Sequence, residues 1–189
     1  MSSKIYITSD THFYHQKMVT HFGRTKFKDV NEMNNVIVQN INKKVQIWDK
    51  LYHLGDVTYR KSEFQKNIEP HILVADIEYI KGNHDKKSIS DVHLKQIIFQ
   101  QKIIELVHNP NDHTGTCDIV IHGHIHKGGN RSMNFKGYYV KDYIYIANEG
   151  NNIFYNVNLE FHKYKPKHLT EILSEINEFK KIKEMKLKK

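Results

Sequence analysis

Ile119-Val120-Ile121-His122-Gly123-His124-Ile125-His126 is the stretch on which the reading of this chain turns. A short apolar run rich in β-branched residues reads as a buried strand. It ends in three imidazoles at alternate positions. Past the strand the backbone enters a loop, so the histidines are not forced back into a core. Gly123 carries no side chain to crowd the approach of a ligand or ion. Three neutral imidazoles held together are a poor structural device and a good metal site.

The same arrangement recurs outward in both directions. Ile5-Tyr6-Ile7 delivers Asp10-Thr11-His12, Leu51-Tyr52-His53-Leu54 delivers Gly55-Asp56, and Ile77-Glu78-Tyr79-Ile80 delivers Gly82-Asn83-His84-Asp85. Ile103 to Val107 delivers His108 ahead of an Asn109-Pro110-Asn111-Asp112 turn. Tyr143 to Ile146 and Ile153 to Val157 read as a closing pair of strands around Glu149-Gly150-Asn151-Asn152.

Between these runs the period lengthens. Asp29 with Glu32 three residues on makes a capping box, and Val30, Met33, Ile37, Ile41 and Val45 recur at helical spacing, predicting a helix over 29–45. Ser62 with Gln65 predicts a short helix through Ile68, ended by Pro70, and Ser90 a brief helix carrying Val92 and Leu94. Leu169, Ile172, Leu173, Ile176 and Phe179 predict a last helix over 168–182, followed by a basic tail over 183–189. Alternating strands and helices define an α/β chain, and in partly parallel sheets functional groups gather beyond the carboxyl ends of the strands.

Composition sets the remaining bounds. The 189 residues leave room for one domain, 1–189, and no repeat or linker divides them. With 39% hydrophobic and 26% charged residues the composition is globular, and no apolar run approaches a membrane span. The single cysteine, Cys117, suits a reducing compartment and the absence of a signal segment suits the cytoplasm. A net charge of +8 favours anionic partners by long-range attraction.

Collected in order, the strand-end residues are Asp10, His12, Asp56, Asn83, His84, His108, His124 and His126. Oxygen donors mixed with imidazoles suit borderline divalent ions, Mn foremost, with Fe, Zn or Ni as alternatives. The set is too large for one tetrahedral ion and about right for two.

The order Asp-x-His, Gly-Asp, Gly-Asn-His-Asp, His, Gly-His-x-His resembles the calcineurin-like metallophosphoesterase superfamily, in its small single-domain bacterial and phage form. The likeness covers nearly the whole chain, from Ser9-Asp10-Thr11-His12-Phe13 to Asn156-Val157-Asn158 and Lys165-Pro166. It implies a four-layer α-β-β-α sandwich with mixed sheets and two metals at the sheet ends. It assigns Asp10, His12 and His126 to one metal, Asn83, His108 and His124 to the other, and Asp56 to the bridge. His84 matches the family's non-ligand histidine beside the metals, the expected general acid, and Asp85 its orienting partner.

Arg24 and Arg60 are expected as phosphate clamps, since a planar fork suits a phosphoryl group. His122 is expected either to face substrate or to be satisfied by a backbone bond. In the Gly-Asp-x-x-Asp-Arg-Gly pattern of phosphoprotein phosphatases, Tyr59 and Lys61 stand where aspartate and glycine belong, which argues against that branch. The expected activity is hydrolysis of phosphate esters, with nucleotide-type diesters ahead of monoesters and nucleotides or nucleic acid as partners. The alternative is a non-catalytic scaffold on the same fold.

Overall fold

The computed structural model describes residues 3–129, 133–134, 136–147 and 152–187, with side chains up to residue 179. Within them the apolar runs form β1 (Ile5–Thr8), β2 (Lys50–His53), β3 (Asp76–Tyr79), β4 (Leu94–Phe99), β5 (Lys102–Val107), β6 (Ile119–His122), β7 (Gly137–Lys141), β8 (Ile144–Ala147), β9 (Ile153–Asn156) and β10 (Lys167–His168). The helices are α1 (Gln16–Thr20), α2 (Val30–Lys44), α3 (Lys61–Asn67) and α4 (Leu169–Leu187). No helix among the described residues is long and apolar enough to cross a membrane.

Two mixed sheets result. The first runs β10-β1-β2-β3, with β1, β2 and β3 parallel and β10 antiparallel. The second runs β4-β5-β6-β9-β8-β7, with β5, β6 and β9 parallel and antiparallel strands on both flanks. The inner faces meet through Ile7, Leu54 and Ile80 from one side and Leu106, Ile121 and Tyr155 from the other, joined by Leu169, Ile172 and Ile176 of α4. Met33, Ile37 and Ile41 of α2 and Phe64 of α3 cover the outer face of the first sheet. On the outer face of the second sheet, Phe154 meets the His113 ring edge-on, with Cys117 packed alongside.

The α2 cap forms as the spacing requires: the Glu32 amide donates to the Asp29 carboxylate at 2.8 Å. Glu32 in return accepts from the amide of Lys28, one residue earlier than a strict capping box. Two helix expectations are corrected. Arg60, not Ser62, precedes α3, and Ser62 lies inside its first turn. Residues 90–94 form no helix, because the Ser90 hydroxyl bonds to the Tyr79 carbonyl and the chain continues into β4. β4 pairs with β5 through a turn in which Gln100 and Gln101 both take left-handed φ values of 49° and 60°. The turn expected over 149–152 falls largely outside the described residues.

Candidate metal centre

The loops that leave β1, β2 and β3 are stapled side by side. The amides of Asp10, His12 and Phe13 donate to the carbonyls of Gly55, Asp56 and Val57 at 2.9, 3.0 and 2.9 Å. Asp10, His12, Asp56 and His124 all adopt left-handed backbone, with φ between 49° and 66°. That region is sparsely populated outside glycine, and here it falls on residues that aim side chains at one point. The second sheet is tied in by the His124 amide, which lies 3.2 Å from both Asp10 carboxylate oxygens.

The glycines beside these residues are sites of close packing. A Cβ on Gly82 would lie 2.1 Å from the Asp56 amide nitrogen, and one on Gly123 would lie 2.5 Å from Asp10 Oδ2. Gly123 therefore makes room for the Asp10 carboxylate itself, where the sequence suggested room for a ligand.

The convergence point is Asp56. It is 2% exposed, and its Oδ2 lies 3.5 Å from His12 Nε2 and 3.5 Å from His108 Nε2. On one side of it, His12 Nε2 and His126 Nε2 are 3.3 Å apart, with Asp10 Oδ1 at 3.6 Å from His126. On the other, Asn83 Oδ1 lies 2.8 Å from His108 Nε2 and 2.9 Å from His124 Nδ1. Donor atoms of Asp10, His12 and His126 form one compact group, and those of Asp10, Asp56 and His108 another.

Hydrogen bonds and burial set how several donors face the centre. His108 Nδ1 sits 2.8 Å from the Leu54 carbonyl, which only accepts, so Nδ1 carries the proton and a neutral ring turns its Nε2 lone pair inward. Burial first, and then the Arg24 charge, hold His12 well below its ordinary value. Burial and His108 likewise lower His124, so these rings are neutral donors. Burial raises the wholly buried Asp10, while His108 and His126, the latter 3.6 Å away, pull it back down. Converging lone pairs and buried carboxylates fit divalent ions, and mixed imidazole and oxygen donors fit borderline ones.

Glu160, in the turn after β9, is the residue the sequence reading missed. Its Oε1 accepts from His126 Nδ1 at 2.8 Å and from Arg24 Nε at 2.9 Å, and its Oε2 from the Lys127 amide at 3.0 Å. Burial pushes its carboxyl up, but the bonds from His126 and Arg24 outweigh that and hold it at about 2. No spacing rule marks it; Asn158 capping the Glu160 amide is the one local signal.

Two expected roles, those of Arg24 and Asp85, are corrected, and His122 takes the second of its two alternatives. Arg24 is fully buried, and its guanidinium donates to the carbonyls of Asp10 and Thr11 at 2.6 and 3.0 Å, so it braces the ligand loop and is not open to a phosphate. His122 is 2% exposed, with Nδ1 2.8 Å from the Gly123 carbonyl, and burial lowers it to about 3; it does not face substrate. The Asp85 carboxylate accepts from the amides of Val57 and Gly82 at 2.8 and 2.9 Å, so it fastens the loops and does not orient the His84 ring. The His84 ring is exposed, 5.7 Å between centroids from His12, while its amide donates to Asp56 Oδ1 at 2.9 Å. His84 and Arg60 line a cavity of about 830 Å³ that reaches His12 and His126.

Two facing mixed sheets gather acids, an amide and imidazoles where their parallel strands end. The chain belongs to the family of MJ1445, an uncharacterized protein of Methanocaldococcus jannaschii, to which it is 33% identical over 181 residues, 94% of this chain and 93% of that one. No family model matches it. Among solved structures, AQ665 of Aquifex aeolicus, a protein of unknown function, superposes with a TM-score of 0.68 and 28% identity over 92% of this chain and 99% of its own. An archaeal phosphodiesterase superposes at a TM-score of 0.40 and 16% identity over 88% and 98%, a distance at which nothing follows about chemistry.

Proposed function

We propose that this protein is a binuclear metal-dependent phosphoesterase. The observation that carries the reading is the position of Asp56 Oδ2, equidistant at 3.5 Å from His12 Nε2 and His108 Nε2, where one carboxylate oxygen can serve two ions. Asp10, His12 and His126 would hold one ion, and Asn83, His108 and His124 the other. A pair of divalent cations supplies an acidified water for in-line attack and charge neutralisation at phosphorus.

The chain's own residues do the rest. The His84 amide holds Asp56 Oδ1, which keeps Oδ2 turned toward the place where the ions would sit. Glu160 fixes the His126 ring and the Leu54 carbonyl fixes His108, each by accepting a hydrogen bond from Nδ1. The His84 ring faces the cavity without serving as a donor in either group, which suits a general acid that protonates the leaving oxygen.

Diesters fit better than monoesters. Arg24 is committed to backbone carbonyls, so Arg60 is the arginine left for a phosphate among the described lining residues, beside Lys17 and Lys127. The open cavity leaves space for a second ester group. Turnover of bis-p-nitrophenyl phosphate above that of p-nitrophenyl phosphate, with Mn the first ion to try, is the expected result. Failure to hydrolyse either ester with Mn, Fe, Zn or Ni overturns the reading.

A further inference from the structure

Beside the metal centre a ladder of rings leads out to the surface. The His12 ring is 5.3 Å from His15, and His15 stacks on Tyr59 at 4.6 Å with 9° between planes. The ladder stops there: Tyr59 has one face on His15 and is 60% exposed. Phe22, 52% exposed, stands edge-on to His15 at 6.0 Å and forms a wall of the same cavity. Two large aromatic rings left in water beside a chemical centre are an arrangement that solvation alone disfavours.

The chemistry of the cavity selects the occupant. Lys17, Arg60 and Lys127 line it, and no acidic residue is among the described lining residues. Its volume of about 830 Å³ is within the range of small-molecule sites. An aliphatic chain would call for aliphatic walls, of which Met18 is the single example here. A flat ring joined to an anion matches both the stack and the cations.

We infer that the free face of Tyr59 is a base-stacking subsite, which takes the nucleobase of a nucleotide diester whose phosphate lies at Asp56. The inference rests on the phosphoesterase reading for the place of the phosphate, but not for the stack. A base on Tyr59 continues the ladder by one ring, with Phe22 as its side wall, and Arg60, next in sequence, reaches the sugar-phosphate. Stacking of this kind tolerates any base, because each presents a π face. The enzyme therefore selects nucleotides over simple alkyl diesters without selecting strongly among bases.

The test compares kcat/KM for thymidine 5′-(p-nitrophenyl phosphate) and methyl p-nitrophenyl phosphate on the Mn-loaded protein. Tyr59→Ala lowers the ratio of the two about tenfold, or ~1.4 kcal/mol, chiefly through KM, while Tyr59→Phe and Tyr59→Trp preserve it. A ratio unchanged by Tyr59→Ala overturns the subsite. Proton NMR of adenosine 5′-monophosphate with the Zn-loaded protein reads stacking without turnover: H2 and H8 move upfield with the wild type and not with Tyr59→Ala. No shift with the wild type overturns it too. A shift that depends on Tyr59, with neither ester hydrolysed, sinks the phosphoesterase reading and leaves the subsite standing.

Discussion

Arg24 and Glu160 meet 2.9 Å apart in the interior and, as a pair, hold two ligand-bearing loops in place. The guanidinium also takes the Asp10 and Thr11 carbonyls, and the carboxylate also takes His126 Nδ1. The pair thus links the first donor residues of the chain to the last. Arg24→Ala would leave a carboxylate buried with His126 as its remaining side-chain partner, a loss of about 3–5 kcal/mol. Thermal melting should fall by about 10 °C for a chain of this size. Arg24→Met combined with Glu160→Leu should recover part of the stability but not the metal affinity, because His126 Nδ1 then has no side-chain acceptor to hold its ring. Full recovery of both, by calorimetry and metal titration, would remove the bracing role.

Asp56→Asn replaces the carboxylate that lies 3.5 Å from both His12 Nε2 and His108 Nε2 with a neutral amide. Metal analysis after equilibration should fall from two ions per chain to one or fewer. The gain in melting temperature on adding metal should shrink with it, since ligand binding stabilises only what it binds. An unaltered ion count would show that the oxygen is not shared.

Gly123→Ala adds a methyl group 2.5 Å from Asp10 Oδ2 and 2.6 Å from Ser9 Oγ. Forcing the Asp10 carboxylate aside should cost about 1–3 kcal/mol as overpacking and weaken metal binding. Gly115→Ala is the control: its backbone is left-handed at φ +83°, but nothing lies within 4 Å. It should lower stability through backbone strain and leave metal affinity untouched.

Acid should destabilise the fold before the carboxylates titrate. Burial lowers His53 to about 3 and His162 to about 4, against an unfolded value near 6.5. Below about pH 6.5 the unfolded chain takes protons that these folded rings refuse, so their stabilising effect is complete above that pH and is lost as the pH falls toward 4. Urea denaturation at pH 7 and pH 5 should show the drop. His162→Phe keeps a ring against Tyr155, where the two planes now lie 9° apart, and should flatten part of the slope. An unchanged slope would place the titration elsewhere.

Most of the centre was legible in the sequence because each donor follows an apolar run, and the period of those runs fixes where the chain emerges from a sheet. What the runs could not carry is direction. Arg24 reads as a clamp from its neighbours, but only the fold shows its fork turned inward on two carbonyls. β4 was hidden because its turn uses Gln100-Gln101 in place of a glycine and because Ile98, 76% exposed, breaks any inside-outside pattern. β7 escaped because Gly137 opens a strand that is nowhere fully buried. Glu160 escaped because its partners are 136 and 34 residues away in sequence.

The left-handed backbone at Asp10, His12, Asp56 and His124 has an evolutionary consequence. Aspartate, asparagine and histidine are the side chains that tolerate this conformation best after glycine. Drift from aspartate to asparagine at positions 10 and 56 therefore spares the local geometry while cancelling its charge. The scaffold can therefore outlast the charge that it was shaped around.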